Sequence, residues 1–246
     1  MFSLEESKER VVELGIAKVN KSLKAKLSLG FIAGAMISFG YIAYLKAVNE
    51  LSQGVGALVG AALFPIGLLV ILLAGGELIT GNMMVVGTAF INKKVSFKEM
   101  VINWIHITLT NALGAIFIAY SAKYLGIFDS MNLTLETASL SKMDTGILQI
   151  ILSGMFCNWF VGLSVWLNIA AKDGAAKVIG ICFPVMIFVY LGFQHSVANT
   201  FLLTANQLVN NSNVLDILNN LMLSYLGNIF GALIFVSGLY SIATND

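Results

Sequence analysis

Two segments place hydrogen-bonding and ionisable side chains inside otherwise apolar stretches. The first is GGELITGNMM at 75–84 and the second is GFQHSVANTF at 192–201. His195 is suited to proton exchange because an unperturbed imidazole titrates at about pH 6.5, and Thr80 and Asn199 offer hydrogen bonds. An ionisable group costs several kcal/mol to bury in hydrocarbon, which favours a function for His195. The alternative is a neutral histidine that only locks a helix break.

Four more polar residues are candidates for functional or structural roles. Glu77 is the only acid deep inside an apolar stretch. There it would accept hydrogen bonds from backbone N–H groups freed by a helix break, which we favour, or relay protons. Asn158 and Asn228 must find partners in a helix bundle, so they either hold helices together or line a path. Lys142 is predicted to lie in the loop just before an apolar stretch and is either a surface charge or an attractor of anions.

The motifs on which enzymatic chemistry commonly depends are missing from the sequence. It contains no paired carboxylates, no CxxC, no HExxH and no phosphate-binding loop that ends in Lys-Ser or Lys-Thr. Cys157 and Cys182 lie in apolar runs and predict neither a disulfide framework nor a metal site. A net charge of +1 gives no electrostatic basis for nucleic-acid binding. We therefore expect no enzyme, metal, cofactor or nucleic-acid partner.

The composition predicts that these residues lie in a membrane. Of 246 residues, 58% are hydrophobic and 11% are charged, and the mean hydropathy is +0.86, whereas soluble domains carry about 25% charged residues. The second and fifth of the long apolar stretches exceed one helix and contain the two polar segments, so each is predicted to break. The fold class is an all-α integral membrane protein with six transmembrane helices. The stretches able to cross roughly 30 Å of hydrocarbon are 27–45, 54–90, 101–122, 145–171, 178–209 and 215–243.

The basic residues predict the orientation of these helices. Of the 14 Lys and Arg residues, all but Lys46, Lys123 and Lys142 lie on the side of the membrane that holds the N-terminus. Because such residues stay cytoplasmic, both termini are predicted to be inside, in a multi-pass protein of the plasma membrane. Residues 1–26 then form a cytoplasmic amphipathic helix, and residues 27–246 form the six-helix channel domain.

Short matches between the halves of the chain indicate an internal duplication. With three spans in each half, the second half must enter the membrane from the opposite side, which gives an inverted 3+3 repeat. Paired interrupted helices in such repeats point to the substrate site. The matching positions are Phe64-Pro65 and Phe183-Pro184 (119 residues apart), TNALGA at 110–115 and GNIFGA at 227–232 (117 apart), and Gly34 and Gly154 (120 apart).

Five apolar residues in these spans would be ordinary core residues unless a pore is present. In a pore, such side chains form hydrophobic constrictions that gate the path or strip water from a solute. They are Phe64, Leu68, Leu78, Val161 and Phe188.

Four ordered motifs resemble the formate/nitrite transporter family over nearly the whole chain. They are GGELITGNMM, MFCNWFVGL at 155–163, GFQHSVANTF and YLGNIFGALIF at 225–235. The resemblance implies a homopentamer in the lipid bilayer, built from aquaporin-like protomers with broken second and fifth helices. Each protomer would have its own pore for small monovalent anions of weak acids, such as formate, nitrite or hydrosulfide.

The resemblance also implies residue roles. His195 would be the pore histidine, Thr80 the threonine of the second-helix loop and Lys142 the vestibule lysine. Asn158 and Asn228 would be polar partners at the centre, and the five apolar residues above would be the constrictions. Two positions depart from the family pattern. Gln194 stands where relatives often have an acid, which leaves His195 less easily protonated, and Ile79 stands where formate members often have Phe.

The function predicted from these features is a channel in which Lys142 concentrates the anion and His195 shares a proton with it. Thr80 and Asn199 would then replace part of the water that the substrate loses. The alternative is an aquaporin-like pore for a small neutral solute, but the paired Asn-Pro-Ala boxes are absent and Arg10 is the only arginine. A structural membrane protein or receptor would leave the paired breaks and His195 unexplained.

Overall fold

The computed structural model describes residues 1–52 and 54–244, and these ranges are built from helices joined by short turns. Gln53, and residues 245 and 246 at the end of the predicted channel domain, lie outside the described residues. The helices are α1 Leu4–Asn20, α2 Leu23–Glu50, α3 Val55–Leu63, α4 Ile66–Leu73, α5 Ile79–Ile91, α6 Phe97–Tyr124, α7 Asn132–Met143, α8 Ile147–Ala170, α9 Gly174–Tyr190, α10 Ser196–Asn210, α11 Val214–Phe230, a π-helical segment Gly231–Gly238 and α12 Leu239–Ile242.

Several of these helices have the length and apolarity needed to cross a membrane. Five segments meet both requirements in the described part of the chain, and α5 and α9 are shorter apolar helices. This confirms the prediction of an all-α membrane protein with several spans. The five segments are Leu23–Glu50, Val55–Leu73, Phe97–Tyr124, Ile147–Ala170 and Val214–Ile242.

Both long apolar stretches are broken at the polar segments, as predicted. The helix preceding each break ends one or two residues before a glycine with positive φ, 110° at Gly75 and 72° at Gly192. A side chain with Cβ is strained in that conformation, so glycine allows the chain to turn there. Leu78 and His195 then cap α5 and α10 in extended backbone conformations.

Close helix crossings assemble each half of the bundle. At Gly114, α6 lies so near α2 that an added Cβ would collide with the carbonyl of Phe31. At Gly231, the end of α11 approaches α8 in the same way, against the carbonyl of Met155. The second collision repeats the first 117 residues later, so both halves use the same packing contact.

The N-terminal helix α1 packs against α5 and is fastened at its start. Ser3 and Glu6 form a reciprocal capping box, which satisfies two N–H groups of the first turn. The Phe2 N–H donates to the Ala170 carbonyl at 2.8 Å, and the Arg10 guanidinium lies 3.7 Å from the centre of the Phe2 ring. The helix is thus tied to the end of α8.

The segment between α6 and α8 contains an additional helix, α7. Lys142 was placed in a loop by the sequence analysis, but it lies in the last turn of α7. The difference arises because α7 is short and mostly polar, so it contains no apolar stretch that would predict a helix there. Leu135 and Ser139 are buried on its inner face, and α7 packs against α10.

Candidate functional site

The first break is held by an asparagine from a different helix. Asn111 of α6 accepts a hydrogen bond from the Ile79 N–H at 2.8 Å and donates to the carbonyls of Glu77 and Gly30, each at 2.8 Å. Backbone groups that a broken helix frees are therefore paired inside the protein. This corrects the expectation that the Glu77 carboxylate accepts from those N–H groups.

The second break is held in the same way by Asn228. Its Oδ1 accepts from the Ser196 N–H at 3.0 Å, and its Nδ2 donates to the carbonyls of Gln194 and Gly154, each at 2.9 Å. These are the same three bonds that Asn111 makes. The predicted site residue Asn228 is thus one of a pair of clamps, and its partner Asn111 was missed although both lie in the matching motifs TNALGA and GNIFGA.

The equivalent contacts fix the register of the repeat. Residues from the breaks onward match at 117 residues, but Gly30 and Gly154, which serve the two clamps, lie 124 residues apart. The proposed match of Gly34 with Gly154 at 120 is therefore wrong by one helical turn. The separation between equivalent residues falls from 124 to 117 because the second half has seven fewer residues between Gly154 and its break than the first half has between Gly30 and its break.

The leading helices α1 and α7 belong to the repeat as well. The backbone carbonyl of Lys18 in α1 accepts from Asn103 at 3.2 Å, and that of Lys142 in α7 accepts from Asn220 at 2.7 Å. The two lysines are 124 residues apart and the two asparagines 117. Each half of the chain thus supplies one lysine beside its own break.

His195 and Thr80 meet between the two breaks. The Nδ1 atom of His195 accepts from the Ala198 N–H at 3.1 Å, which caps α10. A neutral imidazole then carries its hydrogen on Nε2, and Nε2 lies 3.0 Å from Thr80 Oγ1. His195 therefore donates to Thr80, and the hydroxyl hydrogen of Thr80 is left for another acceptor. Thr80 lies in the break that corresponds to that of His195, but Leu78 occupies the position equivalent to His195 in the repeat.

A cavity of about 240 Å³, here called the Lys142 cavity, lies on one side of this pair. Phe64 and Phe188 line it with ring centres 6.0 Å apart, and the Phe188 ring stacks on the imidazole of His195 at 5.8 Å. The Lys142 ammonium donates to the carbonyls of Gly192 and Phe193 at 2.6 and 3.1 Å. Burial lowers the pKa of Lys142 to about 8, so most of its charge is kept at neutral pH.

A second cavity, here called the Glu77 cavity, has a volume of about 210 Å³ and lies at the other break. The fully buried Glu77 carboxylate accepts from Lys18 at 2.8 Å and from Lys21 at 2.6 Å, and also from Asn82 at 2.8 Å. Burial lowers the pKa of Lys18, and the carboxylate opposes this shift. Two lysines against one carboxylate leave this cavity with an excess of positive charge.

The two cavities share no lining residue, and the region of the described structure that separates them is here called the closure. Leu68 and Leu78 line the Glu77 cavity, while Val161 lines neither. Thr80 is fully buried at this closure. Asn158 donates to the backbone carbonyls of Thr80 and Asn228 at 3.2 and 2.7 Å, and so holds the pair of breaks together.

The structure brings the remaining predicted residues to the same place and adds others. Gln194 and Asn199 lie beside the Lys142 cavity and bond to each other at 2.6 Å. Asn82, Asn103 and Asn220 were missed, although the 117-residue separation could have found Asn82 from Asn199. No signal in the sequence distinguishes Lys18 and Lys21 from the other lysines of the N-terminal segment. The described residues hold no cluster of His, Cys, Asp and Glu suited to a metal ion.

Comparison with known proteins agrees with the motifs. A family model described as formate/nitrite transporter matches residues 5–242. The chain is 38% identical over 242 residues to the formate channel BtFdhC of Bacillus thuringiensis, with 96% of this chain and 93% of that protein covered. It is also similar to a solved structure described as an FNT family ion channel, with a TM-score of 0.89, 25% identity and coverage of 96% and 98%.

A second solved structure shares the fold. It is described as a pentameric formate channel with formate bound, and the comparison gives a TM-score of 0.76 with 26% identity. The similar region covers 90% of this chain and 97% of that one. Both structural similarities therefore extend over most of the chain.

Proposed function

Since the chain belongs to the formate/nitrite transporter family, we propose that it is a membrane channel for small monovalent anions of weak acids. Formate, nitrite and hydrosulfide are the candidate substrates, and formate is also the substrate named for a relative 38% identical to this chain. The observation that carries the proposal is the Thr80–His195 pair, which lies at the closure between two cavities that each hold excess positive charge.

An apolar closure favours a neutral solute over an ion. Moving a small ion into hydrocarbon-like surroundings costs of order 20 kcal/mol in the idealised limit, whereas the protonated acid has no net charge to desolvate. Lys142 would concentrate the anion in its cavity, and Phe64 and Phe188 would strip its water. A proton must then reach the substrate before it passes the closure.

His195 is placed to donate a hydrogen bond more readily than a proton. Its Nδ1 already accepts from a backbone N–H, and the Nε2 hydrogen of a neutral imidazole is too weakly acidic to transfer. We propose that Nε2–H polarises Thr80, whose hydroxyl donates to the substrate, while a proton from the bulk solvent reaches the substrate through cavity water. Direct proton sharing by His195 would require Nδ1 to give up the hydrogen bond from the Ala198 N–H and to bind a proton in its place.

We further propose the arrangement in the membrane. Six spans in an inverted 3+3 repeat would place the Lys142 cavity outside and the Glu77 cavity at the cytoplasm, with both termini cytoplasmic in the plasma membrane. Residues 1–26 would form the cytoplasmic helix and 27–246 the channel domain. A homopentamer is supported by the pentameric assembly named for the similar channel structure.

Stopped-flow flux into proteoliposomes tests the proposed function. Formate, nitrite, hydrosulfide and glycerol would be compared at two pH values against vesicles without protein. Anion flux that rises as the pH falls is expected, with glycerol near background. Glycerol flux without anion flux would replace the proposal with the neutral-solute pore. The same protein in crosslinking and mass measurements in detergent should give a pentamer.

A further inference from the structure

Asn82 and Asn199 are equivalent residues, 117 positions apart, and each lines one of the two cavities. Both side chains are 1% exposed. Among the residues that the structure describes, the side-chain oxygen of each has no hydrogen-bond partner. A buried acceptor without a partner costs about 1–3 kcal/mol. Because such an acceptor occurs at both equivalent positions, we expect a ligand that donates a hydrogen bond to each oxygen.

The amide of Asn199 cannot be turned to remove the unpaired oxygen. The Lys142 carbonyl accepts from Asn220 Nδ2 at 2.7 Å, so Asn220 must present its oxygen to Asn199, which donates at 2.9 Å. Asn199 Nδ2 also donates to Gln194 Oε1 at 2.6 Å, and Gln194 Nε2 donates to the Lys142 carbonyl. Turning Asn199 would set its oxygen against two acceptors.

An equivalent series of amide hydrogen bonds, here called the relay, fixes the orientation of the Asn82 amide at the other cavity. The Lys18 carbonyl accepts from Asn103 Nδ2 at 3.2 Å, and Asn103 Oδ1 accepts from Asn82 Nδ2 at 3.1 Å. Asn82 Nδ2 donates to the Glu77 carboxylate as well. In both halves a backbone carbonyl therefore sets the direction of two amides, and the relay ends in an acceptor oxygen.

An acceptor oxygen discriminates between the two forms of a weak acid. Formate and nitrite offer only acceptors and are repelled by Oδ1, while their protonated acids present an O–H group that donates to it. The lysines beside each cavity have the opposite preference. We propose that the Oδ1 atoms of Asn82 and Asn199 form two binding sites for the protonated substrate, one at each entrance to the closure. This inference rests on the proposed channel function.

Two neutral formyl compounds, formamide and methyl formate, test the sites without a change in ionisation. Formamide has N–H donors where formic acid has its O–H, whereas methyl formate has acceptors alone. Initial uptake of labelled formate would be measured in right-side-out membrane vesicles that contain the unaltered protein. Formamide should raise the apparent KM with little change in the maximal rate, and methyl formate should not. Equal inhibition by both probes would overturn the acceptor sites.

Matched variants assign the effect to one atom. Asn199→Leu removes the acceptor oxygen. Asn220→Leu interrupts the same relay but keeps the acceptor oxygen of Asn199. We expect Asn199→Leu to raise KM for formate about fivefold, the value of one neutral hydrogen bond, and to abolish competition by formamide. Asn220→Leu should retain that competition. In inverted vesicles, Asn82→Leu and Asn103→Leu should repeat the contrast.

The outcomes separate this inference from the proposed function. Unaltered protein that passes no weak-acid anion above empty vesicles overturns the channel function itself. Protein that passes formate, but with the same KM and the same formamide competition in Asn199→Leu and Asn220→Leu, overturns the acceptor sites alone. Because the probe comparison uses the unaltered protein, misfolding of a variant does not remove the test.

Discussion

The two breaks have the same scaffold but different charges. In each, an asparagine clamp pairs the freed backbone groups, and a relay of two amides begins at a lysine carbonyl. At one break the second residue after the positive-φ glycine is Glu77, which pairs with two lysines. At the other break that residue is Gln194, and Lys142 bonds to backbone carbonyls instead. The amide scaffold therefore specifies the shape of the break, while one acid or amide specifies its charge.

The clamps test whether the two breaks are structurally equivalent. Asn111→Leu and Asn228→Leu each leave three backbone groups unpaired in an apolar interior, so each should cost several kcal/mol of stability, about 1–3 per group. We expect a large fall in the thermal midpoint of the protein in detergent, similar for both variants. Asn168→Leu is the control, because its oxygen is already without a partner in the described structure. A loss at one clamp only would break the comparison.

The largest functional difference between the breaks is His195, since Leu78 occupies the equivalent position. His195→Ala removes the donor to Thr80 and should lower formate flux about tenfold, the upper value for one neutral hydrogen bond. His195→Asn keeps an N–H donor and should retain more flux with an unchanged pH profile. A pH profile altered to the same extent in both variants would instead support proton sharing by the imidazole.

Lys142 provides a test of electrostatic capture. Lys142→Glu should weaken formate uptake mainly at low substrate concentration and so raise KM, because an attractive charge becomes a repulsive one. Equal uptake across concentrations would show that Lys142 does not attract the anion. The lowered pKa also predicts the direction of the pH dependence. With a pKa of about 8, Lys142 loses its charge as the pH rises through that value. KM should then rise between pH 7 and 9, and Lys142→Arg should remove that rise.

The smallest expected effect comes from exchanging the acid and the amide. Gln194→Glu places a carboxylate near Lys142 and removes the donor to the Lys142 carbonyl, so KM for uptake from that side should rise a few-fold. Glu77→Gln leaves Lys18 and Lys21 unpaired and should lower KM from the other side. Right-side-out and inverted vesicles measure the two sides separately. Unchanged KM values in both variants would show that these charges do not control capture.

Much of the fold followed from local features of the sequence. Apolar length predicted the membrane helices, and polar residues with glycine inside two long stretches predicted the breaks, because helix formation in hydrocarbon tolerates few polar groups. The predicted site residues His195 and Thr80 are in contact. The helix α7 and the role of Asn111 were not predicted. A polar surface helix has no apolar-span signal, and the partner of an amide depends on which helix packs against it.

The sequence by itself determined that the chain is a helical membrane protein, which residues interrupt its helices, and which half-motifs repeat. Only the tertiary structure decided that Lys18 and Lys142 are equivalent, that Glu77 pairs with two lysines, and that the amide oxygens of Asn82 and Asn199 have no partner among the described residues. The physical reason is the range of the interactions. Apolar length and backbone preference act over a few residues, whereas hydrogen bonds and ion pairs join residues more than fifty positions apart, once helix packing has set their distances.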